Sequence, residues 1–281
     1  MLRAKIVVAL AALPAFSMAC GLAAARAPGP DAEPHSGAPA QASIVGGREA
    51  APGSYPWMAF VVDVEAGEAV ACTGTVIAPR VILTAAHCTL NEESGALREP
   101  AGYRVVTGAV NWANPDGRQI SEVTQLIPYS KFGTARDGFG DVAVLALATP
   151  TTAPSIPIAK SPRFARLGTR ARIAGWGMTW FEQTGFTETL MWTKTVVAGS
   201  RCEGLWGRVC VVDYPKFQSG ACFGDSGGPL FAFDRKRGWI EFGITQAGFD
   251  RCTTRRPQIY TRTDVLAKWI AGRIAQIEAT P

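Results

Sequence analysis

Only two histidines occur among the 281 residues, so any imidazole chemistry has few places to run. His35 lies in a Pro/Ala/Gly-rich stretch with no sign of order, which leaves His87 as the histidine of a folded domain. It ends the run Val81-Ile-Leu-Thr-Ala-Ala-His87-Cys88. That run predicts an apolar strand whose rigid end could aim an imidazole, with two alanines leaving room around the ring. Asp141 opens Gly140-Asp141-Val-Ala-Val-Leu-Ala-Leu147, a buried-strand pattern in which a carboxylate would be poorly solvated unless paired. Asp137, four residues earlier, competes for that role from a Gly-rich loop. Ser226 sits in Gly220-Ala-Cys-Phe-Gly224-Asp225-Ser226-Gly227-Gly228-Pro229-Leu230. Glycines around one serine permit backbone conformations closed to other residues and the close approach of a substrate. An exposed nucleophile flanked by backbone N–H donors needs that setting. Alone, the histidine reads as a packed core residue and the aspartate as a turn cap. The serine segment stands by itself.

The elements that would hold these residues are short strands. Thirty glycines, nineteen prolines and frequent Val/Thr/Ile runs favour strands and tight turns over helices. With 47% hydrophobic and 18% charged residues, the chain can bury a large core in one large or two small domains. The net charge of +5 comes without a Lys/Arg run, which argues against nucleic-acid binding. Near the C-terminus Asp264 is placed to cap a helix in which Leu266, Trp269, Ile270, Ile274 and Ile277 share one face.

Residues 1–27 read as an export signal: a basic start at Met1-Leu-Arg-Ala-Lys5, then an apolar run from Ile6 to Phe16 too short to span a membrane. Cys20 raises the alternative of a lipid-anchored surface protein, although Ser17-Met18-Ala19 is a poor match to the leader of a lipoprotein. Residues 28–43 carry almost no large apolar side chains and read as a flexible propeptide. Setting Cys20 aside leaves Cys72, Cys88, Cys202, Cys210, Cys222 and Cys252. An even count in an exported chain favours disulfides, but spacing cannot choose among the fifteen pairings. No Cys-x-x-Cys pair and no spare histidine is present, so no metal and no cofactor is expected. Glu92, Glu93 and Glu99 likewise lack a calcium-ligand pattern.

Taken jointly, Thr84-Ala-Ala-His-Cys88, Asp141 before its strand and Gly224-Asp-Ser-Gly-Gly-Pro229 resemble the three signature blocks of chymotrypsin/trypsin-like serine proteases. Ile44-Val-Gly-Gly47 resembles their mature N-terminus, and Gly175-Trp-Gly177 and Pro257-Gln-Ile-Tyr260 match further landmarks. The resemblance runs from Ile44 to the C-terminus and implies one catalytic domain over 44–281. Its implied fold is all-β: two packed six-stranded antiparallel β-barrels and a C-terminal α-helix, with the site in the cleft between barrels.

By the same resemblance Ser226 is the nucleophile, His87 the general base and Asp141 its partner, with the amides of Gly224 and Ser226 as oxyanion hole. Cleavage before Ile44 would free an α-ammonium to pair with Asp225. The implied bridges are Cys72–Cys88, Cys202–Cys210 and Cys222–Cys252. Gly220, six residues before the nucleophile, falls at the pocket floor where a tryptic enzyme has Asp, which implies non-tryptic specificity. Gln246 and Gly248 fall on the pocket walls, and Gln258 replaces a wall glycine. Small or uncharged side chains are therefore the expected substrates. Ser43 stands where most relatives have Arg or Lys, so a tryptic activator would not cut here. The expected protein is a monomeric secreted endopeptidase acting on polypeptides and open to protein inhibitors. The alternative is a catalytically weak homologue that binds or regulates.

Overall fold

Alternation of buried and exposed side chains identifies the longest strand of the first barrel, Gln119–Pro128, in which Ser121 and Val123 face inward between exposed neighbours. The alternation slips at Thr124, where the pairing register also jumps from Val123↔Leu147 to Gln125↔Ala146. A bulge of this kind bends a strand and increases its twist, which a closed barrel needs.

The computed structural model describes residues 44–64, 70–132, 139–180, 185–199, 206–248 and 251–280. The expected signal and propeptide over 1–43, together with Asp137 and Cys202, lie outside the described residues. After a short strand β1 (Arg48–Glu49), the first barrel comprises β2 (Met58–Asp63), β3 (Val70–Ala78), β4 (Val81–Thr84), β5 (Tyr103–Thr107), β6 (Gln119–Pro128) and β7 (Ala143–Leu147). These close in the order β2-β3-β4-β7-β6-β5. The second comprises β8 (Arg170–Gly175), β9 (Met191–Val197), β10 (Arg208–Val212), β11 (Pro229–Asp234), β12 (Gly238–Ala247) and β13 (Gln258–Arg262). Their order is β9-β10-β13-β12-β11-β8, closed by the β8–β9 pairing, with β1 added on β9. Every strand pairing is antiparallel. The expected fold of two six-stranded barrels and a terminal helix is the observed one.

Helix α1 (Ala267–Glu278) packs against β7, and this explains why β7 is apolar at every position: it is covered on both faces. Leu266, Ile270 and Ile277 are buried there, with Trp269 and Ile274 partly so. Asp264 does not cap this helix. It lies in a preceding 3-10 turn, and its carboxylate binds the Arg262 guanidinium at 2.9 and 2.7 Å instead. A guanidinium two residues away offers two charge-assisted bonds where a cap offers one neutral donor.

Bridges Cys72–Cys88 and Cys222–Cys252 are present as the resemblance implied. Cys210 is also disulfide-bonded, while its expected partner Cys202 lies outside the described residues.

Candidate active site

His87 does not stand at a strand end. Strand β4 stops at Thr84, and His87 opens a 3-10 turn (His87–Thr89). The turn directs the imidazole across to the segment before β7, where Asp141 is almost fully buried. One carboxylate holds both ends of the histidine: His87 N–H donates to Oδ1 at 2.9 Å, and Nδ1 lies 2.7 Å from Oδ2. Backbone and ring are thus fixed together, which leaves Nε2 as the ring nitrogen not engaged by Asp141. The imidazole remains 35% exposed. Burial, the largest influence on its basicity, pulls its pKa down. The hydrogen bond and charge of Asp141, and the charge of Glu92, outweigh it and leave the pKa above the usual value.

Ser226 belongs to a loop leading into β11, tied to the first barrel through a residue the sequence did not single out. Thr73 of β3 takes the Ser226 carbonyl on its own amide at 2.8 Å and donates its hydroxyl to the Gly224 carbonyl at 2.9 Å. No sequence signal marks Thr73 beyond its place beside Cys72. Gly224 has φ +92°, and a Cβ there would fall 2.6 Å from Phe186 and 2.9 Å from the Gly177 backbone. Among the described residues the amides of Gly224 and Ser226 donate to no protein acceptor, so two adjacent N–H groups are available. His87, Gly224 and Ser226 line one cavity together with Glu92 and Arg98. Ser226 Oγ makes no hydrogen bond among the described residues, so its bond to His87 Nε2 is not closed in this structure. The sulfurs of Cys72 and Cys88 lie near the His87 ring, but they are bonded to each other and offer no thiolate to a metal.

Asp225 points inward. Its Oδ1 accepts from Gly177 N–H at 2.9 Å and its Oδ2 from Cys222 N–H at 2.8 Å. Burial dominates over these two bonds and pushes its pKa to about 7. This accounts for the Gly175-Trp-Gly177 landmark, since a Cβ at either glycine would collide with the Asp225 carboxyl group. Ile44 is fully buried in the second-barrel core, with a left-handed φ of +48° that is unfavourable for a β-branched residue.

A second cavity of about 310 Å³ opens beside Ser226. A bulge in β12, between Thr245↔Tyr260 and Ala247↔Ile259, turns Gln246 and Ala247 toward it. Gly248 also lines it, while Gly220 and Gln258 lie beneath. Gln258 is fully buried: its Oε1 accepts from Ala221 N–H at 2.8 Å and its Nε2 donates to the Ala221 carbonyl at 2.7 Å. A Cβ at Gly220 would come within 2.5 Å of that Nε2, so the amide fills the space under the cavity.

The sequence profile of the family described as Trypsin matches residues 44–270. The chain belongs to the trypsin family of serine proteases. Among relatives, it is 33% identical over 237 residues to Serine protease SP24D of Anopheles gambiae, covering 82% of this chain and 80% of that one. It is 31% identical to human Kallikrein-11 (81% and 79%) and 31% identical to human Transmembrane protease serine 5 (83% and 52%). The chain thus spans about half the length of the last of these. Among the described residues of this trypsin-family chain, no helix is long and apolar enough to cross a membrane.

Proposed function

We propose that this chain is a secreted serine endopeptidase that hydrolyses polypeptides through Ser226, His87 and Asp141. The observation that carries this reading is the double anchoring of His87 by buried Asp141, in the cavity that Ser226 and two unpartnered amides also line. Ser226 Oγ attacks the scissile carbonyl carbon as its proton passes to His87 Nε2. The oxyanion is received by the Gly224 and Ser226 amides, where one donor is typically worth about 100- to 1000-fold in rate. The C–N bond breaks as His87 returns the proton to the leaving amine, and water repeats the sequence on the acyl-enzyme. Asp141 holds the tautomer through its bond to His87 Nδ1. The open Oγ–Nε2 contact is compatible with this, because such bonds often tighten only with substrate in place.

The chain is made as a precursor cut between Ser43 and Ile44. Supporting this are the buried, strained Ile44 and an Asp225 carboxyl that has no cationic partner among the described residues. Self-cleavage, or a protease accepting small residues, fits Ser43. The pocket over Gln258 carries no floor charge and is closed below, which favours small or uncharged side chains. That plugged floor is also what favours the second reading, a catalytically weak homologue that binds without turnover.

A fluorophosphonate probe separates the two readings. Activated enzyme should be labelled at Ser226, and Ser226→Ala should lose labelling and peptidase activity while keeping its melting temperature. Absence of labelling in the activated parent, or turnover by Ser226→Ala, would overturn the protease reading.

A further inference from the structure

The cavity beside Ser226 does not end at its own walls. Arg251 lines it, and Arg251 also lines an adjoining cavity of about 590 Å³ whose other lining residues are Thr253, Arg255 and Arg256. Arg251 and Arg255 are exposed, and neither makes a hydrogen bond or ion pair among the described residues. The segment between Gly248 and Gln258 carries three arginines against the single acid Asp250. Arg251 and Cys252 both hold left-handed φ values, +55° and +66°, and Cys252 is anchored to Cys222 through its bridge. Two consecutive left-handed residues fixed by a covalent tie present the guanidinium at the cavity rim.

The chemistry of the floor sharpens the point. Gln258 spends its amide on Ala221, so it leaves the cavity without a charged group below. Arg251 is then the one ionic side chain lining that cavity among the described residues.

From this juxtaposition we propose that the arginine rim is a subsite for an acidic side chain of the substrate, within two residues of the scissile bond. A small side chain enters the closed pocket while a neighbouring carboxylate is held by Arg251 and Arg255. This rests on the protease reading and assigns it a substrate class, acidic polypeptide segments. Guanidinium suits the task because its planar fork binds a carboxylate through two parallel N–H donors. The rim is open to water, so the preference is smaller than a fully desolvated pair would give.

The test uses activated enzyme and internally quenched peptides with Ala before the scissile bond and Glu or Gln scanned through the two positions on either side. At one position Glu should raise kcat/KM over Gln by about 5- to 20-fold at low salt. The ratio should shrink toward one at about 0.5 M NaCl, and the double variant Arg251→Gln, Arg255→Gln should bring it near one at low salt. Fluorophosphonate labelling checks that the variant is folded, and Arg255→Gln alone should lower the ratio in part. A Glu/Gln ratio near one in the parent, or one unchanged in the variants, overturns the proposal while the protease reading stands. So does Arg-dependent binding of a sulfated polysaccharide without any peptide preference. Failure of both labelling and cleavage would sink the two readings together.

Discussion

His87 carries two opposed influences, and which of them wins sets the acid limb of the enzyme. Burial disfavours the imidazolium, while Asp141 and Glu92 favour it and prevail. A general base must be neutral to accept the Ser226 proton, so kcat/KM should rise with pH through the raised pKa of His87. Asp141→Asn removes the bond and charge that oppose burial. Its acid limb should therefore move to lower pH while the plateau falls by about 10⁴-fold, the loss usual for this substitution in serine triads. Glu92→Gln should shift the limb in the same direction and leave the plateau within a few-fold. The pH profile of kcat/KM for the three proteins is the measurement, and a limb that stays in place in Asp141→Asn would contradict this account of His87. Ser226, His87 and Asp141 were legible as candidates because each sits in a run whose residue types the proposed chemistry would constrain. Thr73 was not, because its hydroxyl and amide matter only through a fold that brings β3 against the Ser226 loop. Arg251 was hidden for a similar reason, since an exposed arginine in a loop has no signature until the cavity beside it is seen.

At the scale of elements, periodicity revealed what packing repeats and hid what it breaks. The helical face from Leu266 to Ile277 and the apolar β7 follow directly from spacing. The bulge that turns Gln246 into the pocket leaves no mark in the sequence, because one unpaired residue does not alter composition. Nor did sequence point to Glu241, a wholly buried carboxyl in β12. Its Oε2 accepts the Thr75 hydroxyl of β3 at 2.7 Å, and its Oε1 has no partner among the described residues. Burial outweighs that single bond and pushes its pKa to about 8. In the unfolded chain the same group titrates near 4.5, so the folded state holds a proton that the unfolded state has released. Stability is therefore lost as pH climbs from about 4.5 through about 8. Glu241→Gln cannot ionise, yet its amide oxygen can still accept from Thr75. Its melting temperature relative to the parent should rise across that window by an amount equivalent to a few kcal/mol. A difference constant with pH would mean that Glu241 is ionised in the folded protein.

At the scale of the whole molecule, the proposed cut before Ile44 would change the partner of one carboxyl group, that of Asp225. Two barrels close independently, β1 pairs with β9 of the second barrel, and just before β1 Val45 pairs with Gly220 beneath the pocket. In the uncut chain Asp225 is held by two amides and has a pKa of about 7, against 3.8 for an ordinary aspartate. The precursor should therefore lose stability as pH rises from about 4 through about 7. Cleavage before Ile44 would place an ammonium against this carboxylate, which lowers the pKa of the acid and raises that of the amine above about 8. The cleaved form should then hold its stability through neutral pH, and lose it together with activity as the pH climbs through the raised amine value. Glu241 titrates in both forms, so the difference between their curves leaves Asp225 and, at alkaline pH, the new amine. Calorimetric melting of Ser226→Ala, before and after processing to Ile44, measures that difference without self-digestion. Curves that run parallel from pH about 4 to about 10 would mean that the new terminus never reaches Asp225, and the precursor mechanism would fail with it.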